Sequence, residues 1–136
     1  MLASAVSTPF NRLGTRAPLS LTPSGALQVG GVVQGTALLI SSADFFAWKP
    51  ASSTSGEGDI LRFLAEESQR GEFLLLGTGA ALAFPSPAFR AEIDRRGMGL
   101  EVMDTSAACR TYNVLVAEAR MFTAALLPLA NIRATF

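Results

Sequence analysis

Three predominantly apolar runs, separated by two segments with helix-capping signals, most constrain the fold of this chain. The runs cover residues 73–76, 100–103 and 121–127. Short runs of mainly apolar residues are typical of strands that are covered on both faces of a sheet. A strand–helix–strand connection of this length joins parallel strands through a right-handed crossover. The sequence therefore predicts an α/β domain in which strands near 73–76, 99–103 and 121–127 are parallel neighbours.

Both intervening segments carry residues that begin and end helices. Ser86 suits the N-cap position, and Pro87 suits the first helical position because no N–H is needed there. Gly97 is placed to end that helix. The second helix is predicted to be capped by Thr105 and to run to Arg120.

The N-terminal half has the short apolar runs and small turn residues of a β-rich region. Residues 26–29 and 32–34 flank Gly30-Gly31, a dipeptide that favours a tight hairpin turn. Residues 38–40 and 45–48 have the pattern of further short strands. These strands are expected to extend or flank the parallel sheet.

A connector and one more helix separate the β-rich half from the α/β half. Residues 50–58 are rich in Ser, Gly and Pro, which is the composition of a mobile connector. Asp59 is predicted to cap the helix that follows, and this helix is predicted to stop at Gly71.

The first 18 residues differ in composition from the rest. They include Arg12 and Arg16 but no acidic residue, a composition that also fits a transit peptide. Pro9 and Pro18 would interrupt a helix in this segment. We expect a flexible N-terminal arm over residues 1–18, followed by a single α/β domain over residues 19–136.

Residue types that are missing or rare exclude several classes of site. The chain has no histidine and one cysteine, Cys109, so it contains no Ser-His-Asp triad, no Cys-His dyad and no His-ligated metal site. Eleven basic and eleven acidic residues give a net charge of zero, which argues against nucleic-acid binding. No apolar run approaches the roughly 20 residues that cross a bilayer. We therefore expect no cofactor, no metal, no transmembrane segment and a cytoplasmic location.

The single cysteine allows two interpretations. Cys109 falls at the edge of the apolar face of the predicted helix that begins at Thr105. A helix N-terminus and Arg110 would favour a reactive thiolate. Packing as a small buried hydrophobic residue is the alternative, and it is the one we expect because no histidine is present to act as a base.

Polar residues lie where two of the predicted parallel strands end. The carboxyl ends of neighbouring parallel strands open at one edge of the sheet, which is where α/β proteins place ligands. A helix that begins there directs free N–H groups at anions, and Arg110 adds a guanidinium that can bind carboxylate or phosphate. The candidate binding residues are Gly77, Thr78, Gly79, Asp104, Thr105, Ser106, Arg110 and Asn113.

Each part of this candidate site also has a purely structural interpretation. Arg110 can form an ion pair with Asp104, and Thr105 is a common helix-capping residue. The Gly77–Gly79 segment can be a tight turn, because Leu82 stands where a dinucleotide-binding motif requires its third glycine.

Three stretches of the α/β half resemble one known family. Residues 74–79, 97–105 and 107–115 are similar to the signature of a domain-of-unknown-function family. It includes archaeal and bacterial hypothetical proteins and the mitochondrial assembly factor 3 of respiratory complex I. The resemblance implies a three-layer β+α/β/α arrangement on a mixed central sheet. It also implies a non-catalytic assembly role, with a respiratory-complex subunit as partner and a mitochondrial location as the alternative to a bacterial one.

Three classes of function follow from these observations. The first is a binding or assembly module that acts on a protein partner, with a homodimer as a further possibility. The second is a small-molecule or anion-binding enzyme that uses Arg110, Asn113 and the Gly77–Gly79 backbone. A thiol-based redox role for Cys109 ranks third.

Overall fold

The predicted alternation of strands and helices is present in the C-terminal half, and short strands make up most of the N-terminal half. The computed structural model describes residues 10–15, 17–34, 36–41, 44–50, 56–66 and 71–129. The strands are β1 (Phe10–Thr15), β2 (Leu19–Leu21), β3 (Leu27–Val29), β4 (Val32–Gln34), β5 (Ala37–Ile40), β6 (Asp44–Trp48), β7 (Phe73–Gly77), β8 (Gly99–Met103) and β9 (Thr123–Leu126). The helices are α1 (Glu57–Glu66), α2 (Pro87–Arg95) and α3 (Thr105–Ala117).

The central sheet has six strands in the order β1-β6-β5-β9-β7-β8. Strand β7 pairs in parallel with β8 on one side and with β9 on the other, so that Leu75 stands opposite Glu101 and Ala124. The pairs β1–β6, β6–β5 and β5–β9 are antiparallel. The predicted α/β fold with a parallel core in a mixed sheet is therefore confirmed.

The two faces of the central sheet pack against different layers. Leu75 points to the face that is covered by Tyr112 of α3 and by the small sheet described below. Leu74 points to the opposite face, where it packs with Ile60 of α1 and Ile93 of α2. Helix α3 and a second sheet lie on one side of the central sheet, and helices α1 and α2 lie on the other, which gives the three layers that the resemblance implied.

A second, three-stranded antiparallel sheet has the order β2-β3-β4. Leu19 and Leu27 anchor it to the core, since both are buried. The turn between β3 and β4 consists of Gly30 and Gly31, whose φ angles of 56° and 88° lie in the left-handed region that glycine tolerates. The predicted hairpin is confirmed.

The strand predicted to be buried near residues 99–103 proves to be only partly covered. Strand β8 is the last strand of the central sheet, so only β7 flanks it among the described residues. Its central residue, Glu101, is exposed. The prediction of a parallel strand was correct, but the prediction of a strand buried on both faces was wrong, because an edge strand needs less cover.

Helix α1 begins earlier than the sequence predicted. Its first residue is Glu57, two positions before Asp59, so Asp59 lies within the first turn and is not the cap. The Asp59 carboxylate instead accepts a hydrogen bond from the indole N–H of Trp48 at 3.1 Å. The hydrogen bond to Trp48 thus gives Asp59 a role other than the helix cap that the sequence suggested.

The bounds of α3 also differ from the prediction. Asp104 is the N-cap, and its carboxylate accepts a hydrogen bond from the Ala107 N–H at 2.9 Å. Thr105 is therefore the first helical residue. The helix ends at Ala117, before Arg120.

Helix α2 begins as predicted. The Ser86 hydroxyl caps it by accepting a hydrogen bond from the Phe89 N–H at 3.1 Å, and Pro87 is its first residue.

Part of the segment predicted as an N-terminal arm belongs to the central sheet. Residues Phe10–Thr15 form β1, which pairs with β6, and Arg12 forms an ion pair with Asp44 at 2.9 Å. Residues 1–9 and, within the predicted connector, residues 51–55 lie outside the described residues. Within the described ranges, no helix combines the length and the apolar character needed to cross a bilayer.

Candidate functional site

The carboxyl ends of β7 and β8 lie side by side, as the sequence analysis expected. Gly77 stands opposite Met103 in the parallel register. The Thr78 N–H donates to the Met103 carbonyl at 2.9 Å, and the Thr105 N–H donates to the Gly79 carbonyl at 2.9 Å. The fold thus brings together the two polar segments that the sequence placed at one edge of the sheet.

Thr105 connects three loops at this edge. Its side chain is fully buried. The hydroxyl accepts a hydrogen bond from the Gly79 N–H at 2.8 Å and donates one to the Leu127 carbonyl at 2.5 Å. The segments after β7, β8 and β9 are therefore held together by one hydroxyl group.

Gly77 makes this close packing possible. A Cβ atom at position 77 would lie 2.8 Å from Leu126 Cδ2 and 3.0 Å from Thr105 Oγ1. Gly79, two residues later, has a φ of 100°, which side-chain-bearing residues rarely adopt. The two glycines thus serve a tight turn against Thr105, the structural interpretation raised for this segment.

The N-terminus of α3 is already occupied by acceptors from the chain itself. The Gly79 carbonyl accepts the Thr105 N–H, and the Asp104 carboxylate accepts the Ala107 N–H. The Asp104 carbonyl accepts the Ala108 N–H at 2.9 Å. The Thr105 and Ala107 N–H groups are among those that an external anion would otherwise use, whereas the Ala108 bond is the first bond of the helix itself.

Arg110 and Asn113 have different environments although both were predicted on one face of α3. Arg110 is exposed, and within the described residues no ion pair joins it to Asp104. Asn113 accepts a hydrogen bond from the Leu19 N–H at 3.2 Å and donates one to the Leu19 carbonyl at 2.8 Å. Asn113 therefore attaches the small sheet to α3.

An exposed loop next to the predicted residues was missed by the sequence analysis. Residues 80–84 are all exposed, and they carry no charge. Phe84 has 77% of its surface exposed and Leu82 has 52%. The apolar run between Gly79 and Ser86 is the signal that could have identified this loop. It precedes a helix, and no predicted strand or helix remains to cover it.

Both ends of this loop are fixed by hydrogen bonds. At one end, the Thr78 hydroxyl donates to the Ala81 carbonyl at 2.7 Å and accepts from the Ala83 N–H at 3.1 Å. At the other end, the Glu57 carboxylate accepts from the Ser86 N–H at 2.9 Å and from the Ser86 hydroxyl at 2.8 Å. The apolar side chains are thus presented from a fixed base.

Cys109 is buried, as we expected for a packed residue. Its exposed fraction is 5%. Burial raises the pKa of its thiol to about 11, and the nearby Arg110 charge opposes this shift only in part. No group of three or more acidic or cysteine side chains in the described residues is arranged to hold a metal ion.

Comparisons with known proteins agree with the resemblance found in residues 74–79, 97–105 and 107–115. A family model described as a protein of unknown function (DUF498/DUF598) matches residues 20–127. An uncharacterised protein of Rhodobacter capsulatus is 33% identical over 105 residues, which cover 77% of this chain and 79% of the relative.

A second relative is named NADH dehydrogenase (ubiquinone) 1 alpha subcomplex assembly factor 3 and comes from Danio rerio. It is 32% identical over 109 residues, which cover 80% of this chain but only 62% of the relative. A crystal structure of a protein from Bordetella parapertussis superposes with a TM-score of 0.70 at 27% identity, covering 85% of this chain and 96% of that one.

We predict that the Thr105 hydroxyl contributes strongly to stability. Thr105→Val keeps the shape of the side chain but leaves the Gly79 N–H and the Leu127 carbonyl without their partner, at a cost of about 1–3 kcal/mol for each group. Thr105→Ser keeps the hydroxyl and loses one buried methyl group, for which about 1 kcal/mol is expected. Urea unfolding of the three proteins measures the difference. Equal stability of the two variants would contradict the role assigned to the hydroxyl.

We predict that Cys109 reacts slowly in the native state. A thiol with a pKa of about 11 has, at pH 8, a thiolate fraction about 100-fold below that of an ordinary cysteine. Labelling with a thiol reagent should therefore be at least about 100-fold slower in the folded protein than in urea.

The same pKa shift predicts how stability depends on pH. The unfolded thiol ionises near its ordinary value of 9.0 and the folded thiol only near 11, so the stabilising contribution of Cys109 is complete below pH 9 and is lost as the pH rises towards 11. Cys109→Ala should remove this component from the pH profile of the unfolding free energy.

In the labelling experiment, a native protein that reacts at the rate of a free thiol would contradict the assigned burial of Cys109.

Proposed function

Because the chain belongs to the family described as a protein of unknown function (DUF498/DUF598), we propose that it is a non-catalytic protein-binding module that assists the assembly of a respiratory NADH dehydrogenase. The Danio rerio relative, named as an assembly factor of that enzyme, supports this role. The chain spans only 62% of that relative, so the proposal concerns the shared region. We propose that this role is cytoplasmic and bacterial, and the Rhodobacter capsulatus relative supports the bacterial part.

The exposed loop over residues 80–84 is the observation that carries this proposal. Exposed aromatic and aliphatic side chains that stand together are typical of surfaces that bind other proteins. A single aromatic side chain that enters a pocket of the partner commonly supplies much of the binding free energy. Phe84, with most of its surface exposed, is suited to this role.

The hydrogen bonds at the base of the loop support the same proposal. Thr78 and Glu57 fix the two ends of the loop before any partner binds. A loop that is held in its binding conformation loses less conformational entropy on association, which increases affinity. The internal use of the polar groups around Thr105 also favours a binding role over catalysis at this edge.

We predict that Phe84→Ala impairs assembly without destabilising the protein. Phe84 is exposed, so its truncation should change the unfolding free energy by less than about 0.5 kcal/mol. In the native host, deletion of the gene should reduce the amount of assembled NADH dehydrogenase on native gels. The wild-type gene should restore that amount, and Phe84→Ala should restore at least several-fold less.

Val114→Ala is the matched control for this experiment. Val114 is also an exposed apolar residue, with 55% of its surface exposed, but it lies on α3 and outside the loop. It should restore assembly as well as the wild type does. A deletion strain with a normal amount of assembled enzyme would overturn the assembly role, and equal rescue by both variants would overturn the role of the loop.

A second candidate is a small-molecule or anion-binding site at the strand ends around Arg110. The exposed guanidinium one turn into α3, without an ion-pair partner among the described residues, favours this candidate. The candidate residues Gly77, Thr78, Gly79, Asp104, Thr105, Ser106 and Asn113 would then form its walls. Their polar groups are largely engaged in hydrogen bonds within the chain, so Arg110 and Ser106 are the groups that remain to contact a ligand.

The anion site predicts a specific effect of Arg110→Ala. Titration of the protein with inorganic phosphate should shift the amide resonances of Ser106 and Arg110, and Arg110→Ala should abolish a saturable shift at Ser106. Its unfolding free energy should stay within about 0.5 kcal/mol of the wild type, because the side chain is exposed. If phosphate leaves these resonances of the wild type unchanged, the anion site is excluded.

A further inference from the structure

Three of the four sheet edges in the described part of the chain are protected against pairing with another strand. Strand β1 carries the charged Arg12, which is bonded to Asp44, and β8 carries the exposed Glu101. The backbone of Leu19 in β2 is bonded by the side chain of Asn113, which takes the place of a neighbouring strand. Charged side chains and cover of this kind are how proteins prevent edge-to-edge association.

The fourth edge, β4, contains no charged residue, and no described strand pairs with its outer side. Val32 and Val33 have 62% and 53% of their surfaces exposed. Between Arg16 and Asp44 the sequence contains no ionisable side chain, so the residues next to this strand in the sequence are all uncharged. Among the described residues, β4 has a neighbour on one side only, β3.

The hairpin geometry fixes which backbone groups face the open edge. Val29 stands opposite Val32, and the two-residue turn between them has positive φ at both Gly30 and Gly31, as in a type I′ turn. The pair that closes such a turn is hydrogen bonded, and the bonding alternates along an antiparallel ladder. The N–H and carbonyl of Val33 therefore point away from β3, into the open edge.

We propose that two copies of this chain associate through β4. The strands pair antiparallel, with Val33 of each copy on the two-fold axis. The Val33 N–H of one copy donates to the Val33 carbonyl of the other, and the reverse bond forms at the same time, which is the bonded pair of an antiparallel ladder. The two small sheets become one continuous six-stranded sheet.

The charge distribution favours a second copy as the occupant of this edge. A two-fold pairing brings each residue near its own counterpart, so a charged edge strand repels itself. Pairing of β8 about its centre would place two Glu101 carboxylates opposite each other, whereas pairing of β4 brings only Val and Gln side chains together. Because β4 has three residues, the interface falls below the standard size of stable complexes, and the dimer forms only at high protein concentration.

Sedimentation equilibrium over a range of concentrations tests this proposal. The wild type should show a monomer–dimer equilibrium. Val33→Lys, which introduces like charges at the two-fold axis, should weaken the dimer at least about 10-fold. Val33→Pro, which removes the outward N–H without removing a bond to β3, should weaken it to a similar extent. Val114→Lys, a charge at an exposed valine on α3, is the control and should dimerise like the wild type.

Amide exchange gives a second readout that does not depend on the variants. Exchange of the Val33 N–H should slow as the wild-type concentration rises, while exchange of exposed amides in the 80–84 loop should not change. A wild-type protein that stays monomeric at millimolar concentration would overturn the proposal. A dimer that both Val33 variants leave intact, or whose formation does not protect the Val33 amide, would overturn it as well.

Discussion

The Thr105 hydroxyl lies where the carboxyl ends of the parallel strands β7, β8 and β9 converge. The arrangement of the loops that follow these strands depends on its two hydrogen bonds. It binds Gly79 after β7 and Leu127 after β9, while its own backbone follows β8 and begins α3. The bond to Gly79 is buried and the bond to Leu127 is partly buried, so losing the hydroxyl leaves polar groups that water replaces poorly. Gly77 must lack a side chain for Thr105 to reach this position. The exposed loop that follows Gly79 therefore starts from a point that the core determines.

The strands of the parallel core could be predicted because their runs are mainly apolar. Helix α2 could be predicted because Ser86 and Pro87 are both typical of the start of a helix. The start of α3 could not be predicted to the residue. Asp104 and Thr105 are both good N-cap residues, and only contacts with Gly79 and Leu127, far away in the sequence, decide which of them turns inwards. The exposed position of Glu101 was missed for a similar reason, because strand order decides which strand lies at an edge.

The sequence identified where the candidate site lies but not how its polar groups are used. Parallel strand ends meet at one edge of a sheet, so the grouping of Gly77–Gly79 with Asp104 and Thr105 followed from the strand prediction. The bonds among these groups depend on side-chain positions that periodicity does not encode. Asn113 was assigned to a ligand-binding face, yet its partner is Leu19, which is 94 positions earlier in the chain. Distant partners of this kind are visible only in the folded structure.

The position of β9 between β5 and β7 has a consequence for biosynthesis. Both antiparallel and parallel halves of the central sheet pair with this strand, whose residues are encoded last among the described strands. Until residues 123–126 leave the ribosome, the two halves have no strand to join them, and β5 and β7 each present an unpaired apolar edge. Long-range pairing of this type slows folding and prolongs the exposure of such edges. The two halves of the central sheet can therefore join only after residues 123–126 have been synthesised.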